Sequence, residues 1–125
     1  MKRGMNLVQE YLFRGRRIFD GEWVFGSLMH NVTPSDTATI VSRQGGKFYE
    51  DEVDPSTVGQ FIGMEDQWGT KIFEGDTVKC WEGEFHNDSG IVWRHESSLY
   101  IDSMRHWYVL SDLQNSDLLE VVAEE

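Results

Sequence analysis

Apolar residues fall along this chain in short runs broken by glycine, proline and acidic turns, with little of the 3.6-residue recurrence that marks helices. Trp23-Val24-Phe25 with Leu28-Met29 is rich in aromatic and branched side chains and punctuated by Gly21 and Gly26, so it predicts a strand. Thr37-Ala38-Thr39-Ile40-Val41 alternates and is β-branched, which predicts another. Gln44-Gly45-Gly46-Lys47 reads as a turn, with Phe48-Tyr49 opening a short strand after it. Asp54-Pro55-Ser56-Thr57 is a turn signal; the competing reading is a helix start with Asp54 as N-cap and Pro55 at its first position. Val58 to Met64 and Lys71-Ile72-Phe73 predict a hairpin around Glu65-Asp66-Gln67-Trp68-Gly69.

From Glu74 the runs become shorter and closer. Thr77 to Trp81, Ile91 to Arg94, Leu99 to Ile101, Trp107 to Leu110 and Leu118 to Val122 predict strands, with turns at Glu74-Gly75-Asp76 and Asn87 to Gly90. Ser111 to Gln114 predicts one helical turn before the last strand. Asn31 to Asp36 reads as a turn, and Leu7, Val8, Tyr11 and Leu12 as one face of a marginal helix. The expected fold is mostly β, α+β at most, with short-stranded antiparallel sheets and an SH3-like barrel in the C-terminal half. The expected organisation is one domain over 1–125, with an N-terminal part of about 1–70 and a barrel-like part of about 71–125.

Length and composition agree with that expectation. A chain of 125 residues, 39% hydrophobic and 26% charged, buries enough surface to fold without a disulfide or metal. The single Cys80 excludes an intramolecular disulfide. No apolar run approaches the ~20 residues that span a bilayer. The N-terminus has no apolar segment of signal-peptide type, so the expected location is the cytoplasm of a bacterial cell, with no membrane partner.

Charge changes the picture more. The net charge is −11, yet residues 1–20 hold five basic residues against two acids. Nucleic-acid binding draws on phosphate neutralisation, which an acidic body opposes. Arg14, Arg16 and Arg17 are the candidate phosphate contacts, set against the plainer reading of a solvated strand end.

The segment Val53-Asp54-Pro55-Ser56-Thr57-Val58-Gly59-Gln60-Phe61-Ile62-Gly63, followed by Asp66, Gly69 and Ile72-Phe73-Glu74-Gly75-Asp76-Thr77-Val78, resembles the core signature of the YopX family. Trp23, Gly26, Leu28 and Asn31 resemble its N-terminal strand, and Gly90-Ile91-Val92-Trp93 its C-terminal half. The family consists of small phage and prophage proteins. The resemblance implies a mostly β or α+β fold with a barrel-like half, and it brings no assigned reaction. Its members often run on into a Gly- and Asn-rich tail, which the stretch Val122-Ala123-Glu124-Glu125 does not match, so a role carried by that tail is not among the expectations.

Within the signature, Asp54, Pro55, Thr57, Gly59, Gln60, Gly63, Asp66, Gly69, Glu74, Gly75 and Asp76 are expected to be structural, because each carboxylate lies within three positions of a glycine or proline. The chemical alternative is a Mg²⁺-dependent nuclease using Asp66, Glu74 and Asp76. His30, His86, His95 and His106 lack metal-ligand spacing, and Cys80 lacks an evident activating base, so neither a metal nor another cofactor is expected. The five tryptophans could form a platform on which nucleic-acid bases stack, but Trp23, Trp81, Trp93 and Trp107 fall in predicted strands and are expected in the core; Trp68, at a hairpin turn, is the candidate partner or oligomer contact. The expected function is a non-enzymatic accessory module that binds a host protein, a phage protein or another copy of itself. A nucleic-acid-binding module is the second reading, and the nuclease the third.

Overall fold

The computed structural model describes residues 12–29, 38–80, 89–103, 107–110 and 119–122. Among these the chain forms eleven strands and no α-helix. They are β1 Phe13–Arg16, β2 Trp23–Met29, β3 Ala38–Gln44, β4 Lys47–Val53, β5 Gly59–Glu65, β6 Lys71–Phe73, β7 Thr77–Cys80, β8 Ser89–His95, β9 Ser98–Asp102, β10 Trp107–Val109 and β11 Leu119–Val121. One 3-10 turn, Pro55–Thr57, lies between β4 and β5. All strand pairings are antiparallel, in two sheets. No described helix is long and apolar enough to cross a membrane.

The chain clusters into two compact units, Met1–Gln60 and Phe61–Glu125, which divide inside β5. In the first unit the strands lie in the order β4-β3-β2-β1, and the start of β5 pairs with β1 through Phe13–Gln60 and Arg14–Gly59. Ile40 and Val53 are fully buried there. Gly15 faces Val53, and a Cβ at Gly15 would lie 2.9 Å from a Val53 methyl, which is why the position carries none. An isolated bridge from Arg17 to Val53 ties the end of β4 back beside β1. The predicted short strand at Phe48-Tyr49 is a full seven-residue strand, because β3 pairs with it without interruption from Ala38–Val53 to Gln44–Lys47. Asp54 takes its second predicted role: it is the N-cap of the 3-10 turn, accepting from Ser56 N, with Pro55 in the first turn.

In the second unit β5 and β6 form the predicted hairpin, and a five-stranded sheet runs in the order β10-β9-β8-β7-β11. Ile72, Val78, Cys80, Val92, Ile101, Leu110 and Leu119 make its core, with Ile62, Met64, Leu99, Tyr108 and Val121 packed against it. Strand alternation produces this core, since Val78 and Cys80 of β7 point to one side with Val92 of β8 and Ile101 of β9.

The expected SH3-like barrel is not found: no closed barrel exists among the described residues. The sheet stays open because the outer side of β11 is taken by something other than a strand. Gln67 N donates to Leu119 O at 3.1 Å, and Val121 N donates to the Asp66 carboxylate at 2.8 Å. The helical components of the expected α+β fold at Leu7–Leu12 and Ser111–Gln114, and the turn at Asn31–Asp36, lie outside the described residues except for Leu12, which is in no helix.

Candidate functional site

The signature carboxylates come first, since any catalytic reading depends on them. Asp66 is 5% exposed and makes three hydrogen bonds to backbone donors. Its Oδ1 accepts from Trp68 N at 2.8 Å and Thr70 N at 2.9 Å, and its Oδ2 from Val121 N at 2.8 Å. One carboxylate thereby closes the β5–β6 turn and holds the closing strand. Asp76 Oδ2 accepts from Phe73 N at 2.8 Å. Gly75, at φ +94°, allows that turn, and its N–H donates to Val92 O at 2.7 Å, docking the turn on β8. Glu74 pairs with Arg94 at 2.7 Å. Asp54 Oδ1 accepts from Ser56 N and Oγ, while Thr57 Oγ1 accepts from Arg16 N at 2.8 Å. The carboxylates of Asp54, Asp66 and Asp76 therefore serve the backbone, and among the described residues no three His, Cys, Asp or Glu side chains gather as a metal site.

The arginines are engaged within the first unit. Arg14 and Arg16 share one face of β1, and their guanidinium carbons lie 4.2 Å and 4.4 Å from the Trp23 ring centroid. Arg16 also donates to Gly21 O at 2.8 Å. Arg17 grips Asp20 with two bonds, at 2.9 Å and 2.7 Å, and reaches Asp51 at 3.3 Å. The hydrogen bonds Arg17 donates to Asp20 and then to Asp51 raise its pKa, and the bond from Arg17 holds the Asp20 carboxyl below its usual range.

Trp23, Trp93 and Trp107 depart from the expectation of a core role. Of the four described, none belongs to the buried core, which is aliphatic apart from Phe73 and Cys80. Trp81 lies outside the described residues. Trp68 is 72% exposed at the β5–β6 turn. Trp93 and Trp107 do lie in strands, but on the outer side of the five-stranded sheet. Cross-strand partners share a face, and two rows follow from the register: Ile91, Asp102 and Trp107 in one, Trp93, Tyr100 and Val109 in the next.

Their rings cluster. Trp93 meets Trp107 edge-on at 4.8 Å between centroids, Tyr100 at 5.5 Å and His95 at 5.5 Å, and Tyr100 lies 6.0 Å from Trp107. Trp107 is 60% exposed and Ile91 51%. The Trp93 indole N–H is buried and meets no acceptor among the described residues. This is an apolar and aromatic surface bordered by Asp102, and it is the strongest candidate for contact with another molecule. Sequence reading missed it because strand β8 carries bulky apolar residues on both faces. The signal available was the contrast between Gly90 and Val92 on one side and Ile91, Trp93 and His95 on the other.

Cys80 is buried beside core aliphatics and is a packing residue. His95 is the one described histidine, and its ring packs on Trp93.

Comparison with curated proteins finds no match. Comparison with protein families gives the YopX protein family over residues 12–122, a span that contains every described strand and the whole signature, and the chain belongs to the YopX family.

Proposed function

We propose that this protein is a non-enzymatic accessory module of phage or prophage origin that works in the bacterial cytoplasm by binding a host or phage protein through the outer face of its C-terminal sheet. The observation that carries this reading is the cluster of Trp93, Tyr100 and Trp107 with Ile91 on that face, since exposed aromatics of this kind dominate binding energy at protein interfaces. Trp68, exposed at its turn, is a second contact on the same unit. The commitment of Asp54, Asp66 and Asp76 to backbone N–H groups supports a structural rather than a catalytic role for the signature.

The test is affinity capture from nuclease-treated host lysate with the wild-type chain and with Trp107→Ser. A stoichiometric protein recovered by the first and reduced about tenfold or more with the second is the expected result. Equal recovery by both chains, or none by either, would remove the aromatic face from the account. A second reading has one specific observation behind it: Arg14 and Arg16 both lie over the half-buried Trp23 ring on one face of β1, a pairing of cation and ring that suits single-stranded nucleic acid. It requires salt-sensitive binding that weakens in Arg14→Gln.

A further inference from the structure

The two units share the chain's charge unequally. Residues 1–60 hold seven basic and eight acidic side chains and are nearly neutral. Residues 61–125 hold four basic and fourteen acidic ones, so they carry −10 of the net −11. The face of Trp93, Tyr100 and Trp107 belongs to this second unit. An exposed aromatic face and a large excess of negative charge thus coincide on one unit, although neither requires the other.

Strand register places the charged groups of that face. Asp102 stands in one row between Ile91 and Trp107. Glu120 of β11 stands opposite Lys79 of β7. Arg94 alternates to the other side of β8, where its Nε donates to Glu74 at 2.7 Å. Among the described residues of this face, Lys79 and His95 are the only basic groups, and His95 packs on Trp93. Aromatic ring faces carry negative charge density, and carboxylates beside them add to the same potential. A guanidinium suits such a surface, being planar, weakly hydrated and able to stack on indole.

Resting on the reading of this face as a protein-binding surface, we propose that its occupant is a basic segment of the partner, with an arginine stacked on Trp107. Trp107 is 60% exposed, whereas Trp93 and Tyr100 are half-buried, so Trp107 is the ring open to a stacking group. Trp93 and Tyr100 hold it in place through ring contacts at 4.8 Å and 6.0 Å. Ile91, 51% exposed in the same row, offers apolar contact to the stem of the incoming side chain. The acidic field speeds the encounter with a basic partner and repels phosphate, so this face selects a basic protein over a nucleic acid.

The test is fluorescence polarisation of the full chain with a labelled peptide of arginines spaced by glycine and serine, and with its lysine counterpart. The arginine peptide is expected to bind at least about threefold tighter than the lysine one, a preference that charge alone does not produce. Trp107→Leu keeps the charge and an apolar side chain but removes the ring. It is expected to weaken the arginine peptide about fivefold or more, while Trp107→Phe retains most of the binding. Raising the salt from ~0.1 M to ~1 M is expected to weaken binding to the wild-type chain as well. No binding, or binding that is the same for both peptides and unchanged in Trp107→Leu, overturns the proposal. If Trp107→Leu does not fold, the comparison of the two peptides on the wild-type chain decides. Lysate capture separates this failure from that of the reading beneath it. A captured protein that needs Trp107, yet is neither displaced by the arginine peptide nor weakened by salt, keeps the aromatic face and overturns the basic occupant. Capture that does not depend on Trp107 removes both.

Discussion

Asp66 ties two distant stretches of the second unit's backbone to one carboxylate. Its three backbone donors lie in two places, the turn at Trp68 and Thr70 and the closing strand at Val121. Asp66→Ala leaves these buried or half-buried N–H groups without their acceptor and is expected to destabilise by about 2–4 kcal/mol in a denaturant titration. Asp66→Asn keeps an acceptor for one of the two sites and is expected to fall between. Glu96 is the opposite case. It sits at φ +58° between β8 and β9, a conformation that a side chain disfavours. Glu96→Gly is expected to stabilise by about 0.5–1 kcal/mol, read as a higher melting temperature. The role of Asp66 was half legible in the sequence: its place beside Gly69 pointed to turn chemistry, but Val121 is a partner that no local pattern could name. The strain at Glu96 was not legible, because glutamate carries no turn signal.

Elements were more legible than their faces. Strands β2, β5, β6, β7 and β9 fall where aromatic, branched and glycine positions put them, because those signals are local. β4 was underread, since Glu50-Asp51-Glu52 argues against a strand until the β3 ladder is considered. The face of β8 was misread, with Trp93 expected in the core despite the contrast of Gly90 and Val92 with Ile91, Trp93 and His95, and the packing of Gly90 shows why it matters. A Cβ at Gly90 would stand 2.5 Å from Asp102 O, so β8 and β9 approach there as only glycine allows. Gly90→Ala is expected to cost about 1–3 kcal/mol of unfolding free energy and to broaden the amide signals of β8 and β9. At the β1–β2 turn, the carboxyl of Asp20 is held below its ordinary value by the hydrogen bond from Arg17. The pair therefore contributes fully above the ordinary pKa of an aspartate, and the contribution fades as pH falls through the lowered one. Asp20→Asn is expected to remove that small part of the acid unfolding transition, measured as stability against pH, while leaving neutral stability close to that of Asp20→Ala.

At the scale of the whole molecule, fold class and family were legible and the closure of the sheet was not. The spacing of short strands and turns is the same for an open sheet as for a barrel. What decides between them is the occupant of the β11 edge, a carboxylate and one backbone amide. The aromatic face had the same difficulty, since a strand tryptophan reads alike on either side until register is known. The bond from Val121 to Asp66 spans 55 positions. Contacts of such separation form late, after the intervening chain has lost much of its freedom. During synthesis the Asp66 turn emerges first and must wait for the strand that satisfies it. The second unit therefore completes its order only once Val121 has been made, and a chain ending before Val121 would leave an unfinished fold open to proteolysis.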